Sequence, residues 1–260
     1  MNASTTVFMS NGPVAFFTIN RPEAGNAMTW AMYDALVDAC ERVDADPAVR
    51  AFVVRAAGAT FCPGTDISQF TAFSTREHGL EYERRLEACV SRLERVAVPT
   101  IAQVEGIAAG GGCAIALACD LRVCTPAARF GVPIARTLGN GLSFENCARL
   151  VEHFGIGRAR TMLLTGGFID AADAAASGVI ARMAEPADVA RVVDELAAAI
   201  SRNAPLTMRA SKQALAQLAA QRRQHAGDVA DLVADCYASA DFREGVSAFL
   251  SKRPPKFTGR

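Results

Sequence analysis

The 260-residue sequence has no Cys-x-x-Cys pair, and its three histidines, His78, His153 and His225, are scattered. The usual zinc-binding spacings are therefore missing. Neither sign of charge is in excess, since 27 Lys and Arg face 27 Asp and Glu. A protein that grips nucleic acid through its phosphates needs a basic surplus. Disorder needs low hydrophobicity and high net charge, whereas 51% of this chain is hydrophobic. No apolar stretch reaches the ~18 residues of a membrane span. There is no internal repeat and no linker rich in Gly, Ser or Pro. The start, Met1-Asn2-Ala3-Ser4-Thr5-Thr6, lacks the basic opening and apolar run of a signal peptide. A reducing cytoplasm is expected, with the eight cysteines as free, buried thiols.

What is present is an alternation of strand and helix signals. Val14–Asn20 is short, apolar and bounded by Gly12-Pro13 and Arg21-Pro22, which predicts a buried strand. Thr29 is placed to cap a helix that carries Met32, Leu36, Ala39, Cys40 and Val43 on one face and stops at Asp46-Pro47. Strands are predicted over 51–55, 100–104, 121–124 and 129–131, with a helix over 75–95. From Glu145 onward the pattern is mostly helical, over about 145–152, 157–165, 170–177, 186–203, 206–221, 226–239 and 241–251. One strand-like stretch, Val179–Met183, interrupts it. This order describes an α/β core over residues 1–200 and a helical region over 201–260, packed on the core or on a neighbour, within one structural domain.

Two strand ends carry unusual loops. Phe61-Cys62-Pro63-Gly64-Thr65-Asp66 follows the strand at 51–55, and Ala108-Ala109-Gly110-Gly111-Gly112-Cys113 follows the strand at 100–104. Ligands of α/β proteins bind beyond the carboxyl ends of strands, and helix starts offer unpaired N–H groups. Two such groups aimed at one point form an oxyanion hole. The alternative is that the triple glycine marks only tight helix–strand packing. The second loop is not a P-loop, because no Gly-Lys-Ser/Thr follows it.

Several pieces occur together in a familiar order: Asn20-Arg21-Pro22, Asn26-Ala27-Met28, Phe61–Ile67, Ala109–Cys113, Cys119-Asp120-Leu121 and Phe130-Gly131-Val132-Pro133. Leu164-Thr165-Gly166, Ala174–Val179 and Arg243–Leu250 continue the series almost to the end. Taken together they resemble the enoyl-CoA hydratase/isomerase (crotonase) superfamily. The resemblance implies repeated ββα turns followed by a helical C-terminal trimerisation region. It also implies homo-oligomers (trimers or dimers of trimers) and acyl-CoA thioester substrates, with coenzyme A part of the substrate rather than a permanently bound cofactor. The two hole donors map to the backbone N–H groups of Thr65 and Gly111. Coenzyme A contacts map to Ala24, Asn26, Asp66, Ile67 and Ser68. Phe249 and Lys252 match residues that reach coenzyme A from a neighbouring subunit. Three positions apart, they are expected to share one helix face, a core Phe and a solvated Lys being the alternative.

The chain departs from the family pattern at the acid–base positions. Where hydratases of the family carry two glutamates, this sequence has Ala114 and Ile134, and neither can transfer a proton. Ordinary enoyl-CoA hydration is therefore not expected. Glu145 is the only carboxylate in 135–146. It reads either as a relocated acid/base or as a first-turn residue behind a Ser143 cap that favours the helix dipole. Asp66 is expected to cap a turn and Asp120 to be structural. Cys62 and Cys113 flank the proposed hole without a nearby histidine to activate them. The leading expectation is a CoA-thioester lyase or isomerase-like enzyme that stabilises an enolate or oxyanion. The alternatives are a non-catalytic acyl-CoA-binding or assembly protein of the same fold and, last, a serine hydrolase.

Overall fold

A computed structural model describes residues 4–222 and 229–260. The elements in chain order are β1 (Thr6–Asn11), β2 (Val14–Ile19), α1 (Trp30–Ala45), β3 (Ala51–Ala56), α2 (Arg76–Glu94), β4 (Thr100–Val104), β5 (Ile107–Ala109), α3 (Gly111–Ala118), β6 (Leu121–Cys124) and β7 (Arg129–Gly131). There follow α4 (Ile134–Thr137), α5 (Phe144–Thr165), β8 (Phe168–Asp170), α6 (Ala171–Ala176), β9 (Arg182–Met183), α7 (Val189–Ser201), α8 (Pro205–Arg222), α9 (Ala230–Ala238) and α10 (Ala240–Leu250). A six-stranded sheet runs β1-β2-β3-β4-β6-β9, parallel except for the β1–β2 hairpin. A smaller sheet, β5-β7-β8, stands beside it. No helix among the described residues is long and apolar enough to cross a membrane.

The alternation along β3 shows how the main sheet is covered. Phe52 and Val54 face α1, α2 and α3, while Ala51 and Val53 join Val189, Val193, Ala197 and Ile200 of α7 on the opposite face. Both faces are thus buried, and for that reason these strands read as continuous apolar runs. The expected face of α1 is the buried one: Met32, Leu36, Ala39, Cys40 and Val43, with Tyr33 added. Every residue of α3 is buried, so the triple-glycine segment opens a helix at the centre of the molecule.

Several expectations change. β1, β5 and β8 were not foreseen. The strand-like stretch 179–183 narrows to Arg182–Met183. Thr29 precedes α1 but makes no side-chain cap; Gln69 Oε1 instead accepts from Trp30 N at 2.9 Å. The two helices expected over 145–165 are joined as α5 across a kink at Gly155, whose φ of 77° and ψ of 157° are not helical. His225, and the beginning of the helix expected from 226, lie outside the described residues.

The end of α3 is closed by a buried side chain. Arg122 donates to the carbonyls of Ala116 (3.1 Å), Cys119 (2.6 Å), Asp120 (3.0 Å) and Val179 (2.8 Å). Asp120 is structural as expected: its carboxylate accepts from Thr100 N at 2.7 Å and pairs with Lys212 at 2.7 Å. Arg122→Met would strand several buried acceptors, and the cost of such a loss is ~3 kcal/mol. The variant is expected to show a clearly lowered urea midpoint with an unchanged slope. A midpoint equal to the wild type would show that water replaces the guanidinium.

Candidate active site

The two strand-end loops are joined backbone to backbone. Phe61 N donates to Glu105 O, Cys62 N to Ile107 O and Ala109 N to Cys62 O, at 2.7, 2.9 and 2.9 Å. On its other side the first loop pairs with Met28: Met28 N donates to Gly64 O and Asp66 N to Met28 O, both at 2.8 Å. Segment 62–65 thus lies between Met28 and Ala108–Ala109. In this ribbon the neighbours of Thr65 use up Met28, so the N–H of Thr65 turns to the side of the second loop. Among the described residues, neither Thr65 N–H nor Gly111 N–H donates to another group.

Glycine is required here by contact. A Cβ on Gly112 would stand 2.1 Å from Cys62 O, and one on Gly64 (φ +113°) 3.1 Å from Ala109 O. A Cβ on Gly111 would meet Tyr33 Oη at 2.4 Å. That hydroxyl is fixed, because Thr65 Oγ1 is hydrogen-bonded to Tyr33 Oη at 2.8 Å and to Tyr82 Oη at 3.0 Å. Burial pushes both phenols up, so they stay neutral. Burial likewise pushes the Cys62 and Cys113 thiols up to about 12. Neither is a thiolate nucleophile at neutral pH.

A cavity of about 40 Å³ opens beside Gly110 and Gly111. Its apolar wall includes Leu86, Leu117, Val132, Ile134, Leu142 and Leu150, with Cys113 and Ala114. Ala114 and Ile134 therefore share one cavity. The polar groups on it are Tyr82, Glu83, Asn140, Asn146 and Arg149. The guanidinium of Arg149 is neutralised by Glu87 (2.5 Å) and Glu94 (2.8 Å). Asn140 Nδ2 donates to Tyr237 Oη at 3.0 Å, while Asn140 Oδ1 is buried without a partner.

Glu83 is the cavity's one carboxyl among the described residues. Its Oε1 accepts from Tyr237 Oη at 2.6 Å and its Oε2 from Ser143 N at 3.1 Å. Burial lifts it from 4.5 to about 7, against the lowering effect of those two donors and with a smaller push from Glu145. Sequence reasoning missed this residue. A signal was available: Gly79, Tyr82, Glu83, Leu86, Cys89, Val90 and Leu93 form the buried stripe of α2, so the glutamate sits where the 3.6-residue period calls for an apolar side chain.

The expected site residues lie as follows. Thr65 and Gly111 are brought together by the loop pairing. Glu145 is half-buried in the first turn of α5 and does not line the cavity; Ser143 caps that helix, accepting from Asn146 N at 3.4 Å. Asp66 caps a 3-10 turn over Ile67–Phe70, accepting from Ser68 N at 3.0 Å, and pairs with Arg21 at 2.6 Å. Ala24 ends a second 3-10 turn. Asn26, at φ 65°, has its side chain occupied by Arg21 N, Ala57 O and Thr60 O. It ties the 21–28 loop to the 57–66 loop. Phe249 is exposed near the end of α10, and Lys252 lies past that helix at φ 53°. The two do not share a helical face, because the helix stops between them. Among the described residues no three His, Cys, Asp or Glu side chains converge to hold a metal.

A carboxyl lifted by burial binds its proton more tightly in the folded state. Its contribution to stability is full below 4.5 and is lost as pH rises through about 7. The span from 4.5 to about 7 corresponds to ~3 kcal/mol. Glu83→Gln is expected to gain that much on the wild type between about pH 4.5 and pH 8, read as urea midpoints. Parallel pH curves would show that Glu83 titrates normally.

The comparisons agree with this architecture. The enoyl-CoA hydratase/isomerase family profile matches residues 9–260. The short-chain-enoyl-CoA hydratase of Clostridium acetobutylicum is 31% identical over 263 residues, covering 97% of each chain. A putative enoyl-CoA hydratase of Thermus thermophilus is 34% identical, covering 96% of this chain and all of that one. Among solved structures, an enoyl-CoA hydratase/isomerase from Xanthobacter autotrophicus matches with a TM-score of 0.86 at 26% identity, over 97% of this chain and 98% of that one. A methylmalonyl-CoA decarboxylase in complex with 2-nitronate-propionyl-CoA matches with a TM-score of 0.88 at 23% identity over the full length of both chains, a likeness of fold. With its fold shared across these structures and the family profile spanning nearly all of it, the chain belongs to the enoyl-CoA hydratase/isomerase family.

Proposed function

We propose that the protein is an enzyme acting on acyl-CoA thioesters, with the N–H groups of Thr65 and Gly111 holding the thioester oxygen. One observation carries this reading. Two backbone donors from two interlocked loops are left without acceptors, and one of them, Gly111, lines a largely apolar cavity. Such donors stabilise negative charge as it develops on the oxygen, without reorganising. The names of the relatives support a CoA thioester as the substrate. Loops 24–26, 65–68 and 109–112 would hold coenzyme A, with Phe249 and Lys252 reaching it from a neighbouring subunit. No permanently bound cofactor is invoked. The cytoplasm is the proposed location.

Ordinary hydration is not the proposed reaction. A positioned acid or base contributes ~10²–10⁴-fold, and Ala114 and Ile134 supply neither. Crotonyl-CoA should be hydrated at least ~10³-fold more slowly than by a hydratase bearing both glutamates. Calorimetry should detect binding of short acyl-CoAs; no binding at millimolar ligand overturns the reading. Gly111→Pro deletes one donor, and combining it with Tyr33→Phe removes the hydroxyl its Cβ would meet. The double variant should turn over ~10²-fold more slowly than Tyr33→Phe alone.

A homo-oligomer, trimer or dimer of trimers, is proposed as well. On α8, Leu206, Leu215 and Leu218 are 78, 67 and 57% exposed. Sedimentation at micromolar concentration should give a trimer or hexamer; a stable monomer would contradict it.

A further inference from the structure

Resting on the acyl-CoA reading, we infer that Glu83 is the group that takes and returns a proton at the α-carbon of a short acyl thioester. Three observations converge on it. It is the one carboxyl, among the described residues, on the cavity that Gly111 also lines. Its two oxygens are held by Tyr237 Oη and Ser143 N, which fixes the carboxyl and leaves each oxygen a further lone pair. Next to it, Asn140 Oδ1 is a buried acceptor without a partner on the same cavity, so this end of the cavity is built to meet a polar group as well as an apolar chain.

The step balances without a co-reactant. The Cα–H bond breaks, and its proton forms an O–H bond on Glu83. The bonding pair enters a Cα=C double bond, and the thioester carbonyl pair moves to oxygen, where the Thr65 and Gly111 N–H groups meet the enolate. The reverse step returns a proton to the same carbon or, in an unsaturated acyl chain, to the γ-carbon, giving a double-bond shift.

The charged and titratable groups around Glu83 are few. Glu145 on α5 raises it, Tyr237 on α9 lowers it by its hydrogen bond, and Tyr82 and Cys147 stand close enough to feel its charge. Arg149 on the same cavity is already matched by Glu87 and Glu94. With a value of about 7, the carboxylate form grows through neutrality, which suits a base at working pH.

The experiment follows deuterium entering the α-position of butyryl-CoA in D₂O, by mass spectrometry, with binding measured in parallel. Wild type is expected to exchange, with a rate rising through about pH 7. Glu83→Gln should lose ~10²-fold or more of the exchange and keep butyryl-CoA affinity within about threefold, and Glu83→Asp should recover part of the rate. Independently of turnover, an infrared carboxyl band present in wild type below about pH 7 should be missing in Glu83→Gln. Exchange by Glu83→Gln at the wild-type rate, or loss confined to Glu145→Gln, overturns the assignment. Wild type that binds butyryl-CoA without exchange overturns it too and leaves the acyl-CoA reading standing. Failure to bind at all overturns both.

Discussion

Direct backbone contact between two loops is the constraint on which the rest of this site depends. Adjacent parallel strands β3 and β4 deliver the two loops side by side, and three hydrogen bonds then hold them in one ribbon. At such separations there is no room for a Cβ on Gly112, nor on Gly106, which would stand 2.2 Å from Ala59 O. The glycines are therefore a packing requirement first. Their chemical consequence follows from it: α3 must begin at Gly111, whose N–H, at a helix start, has no intrahelical acceptor. Packing and the proposed function are not competing readings of the triple glycine, since the same contact that excludes a Cβ leaves the Gly111 N–H without an acceptor.

The cavity next to that contact is electrostatically sparse. The single positive charge of buried Arg149 is taken up by two glutamates, and the nearby thiols and phenols are held protonated by burial. Glu83 is the exception. A carboxyl kept at this place destabilises the fold wherever it is charged, whereas an apolar residue on the same stripe of α2 would not. Groups that cost stability and face a cavity are the ones whose presence asks for a functional reason.

Much of this was legible in the sequence. β3, β4 and β6 read as apolar runs because both faces of the sheet are covered, and the loops after them stood out by their glycines. Ala114 and Ile134, expected from the resemblance to stand at the acid–base positions, lie on one cavity. The missed elements share a physical cause. β5 and β8 have three residues each, too few for a period of two to show. β1 is an edge strand with Met9 half exposed, so its pattern is weak and only its pairing with β2 defines it. Lys252 was misplaced although the helix expected over 241–251 stops before it and Pro254-Pro255 marks that end. Glu83 was passed over because a charged residue in a long helix reads as solvated until the burial of its whole stripe is known.

The two acid–base features are linked by charge. Ala114, Ile134 and Glu83 border one small cavity. Glutamates at the first two positions would place three carboxyls in low-dielectric surroundings, where like charges raise one another's proton affinity. Glu83, already lifted to about 7 by burial, would then stay protonated at neutral pH and be lost as a base. A buried carboxyl on α2 that titrates near neutrality is thus compatible with uncharged residues at 114 and 134 and poorly compatible with the hydratase pair. On the proposed reading, uncharged residues at 114 and 134 leave Glu83 as the one carboxyl on this cavity, among the described residues, able to move a proton beside the proposed oxygen-binding N–H groups of Thr65 and Gly111.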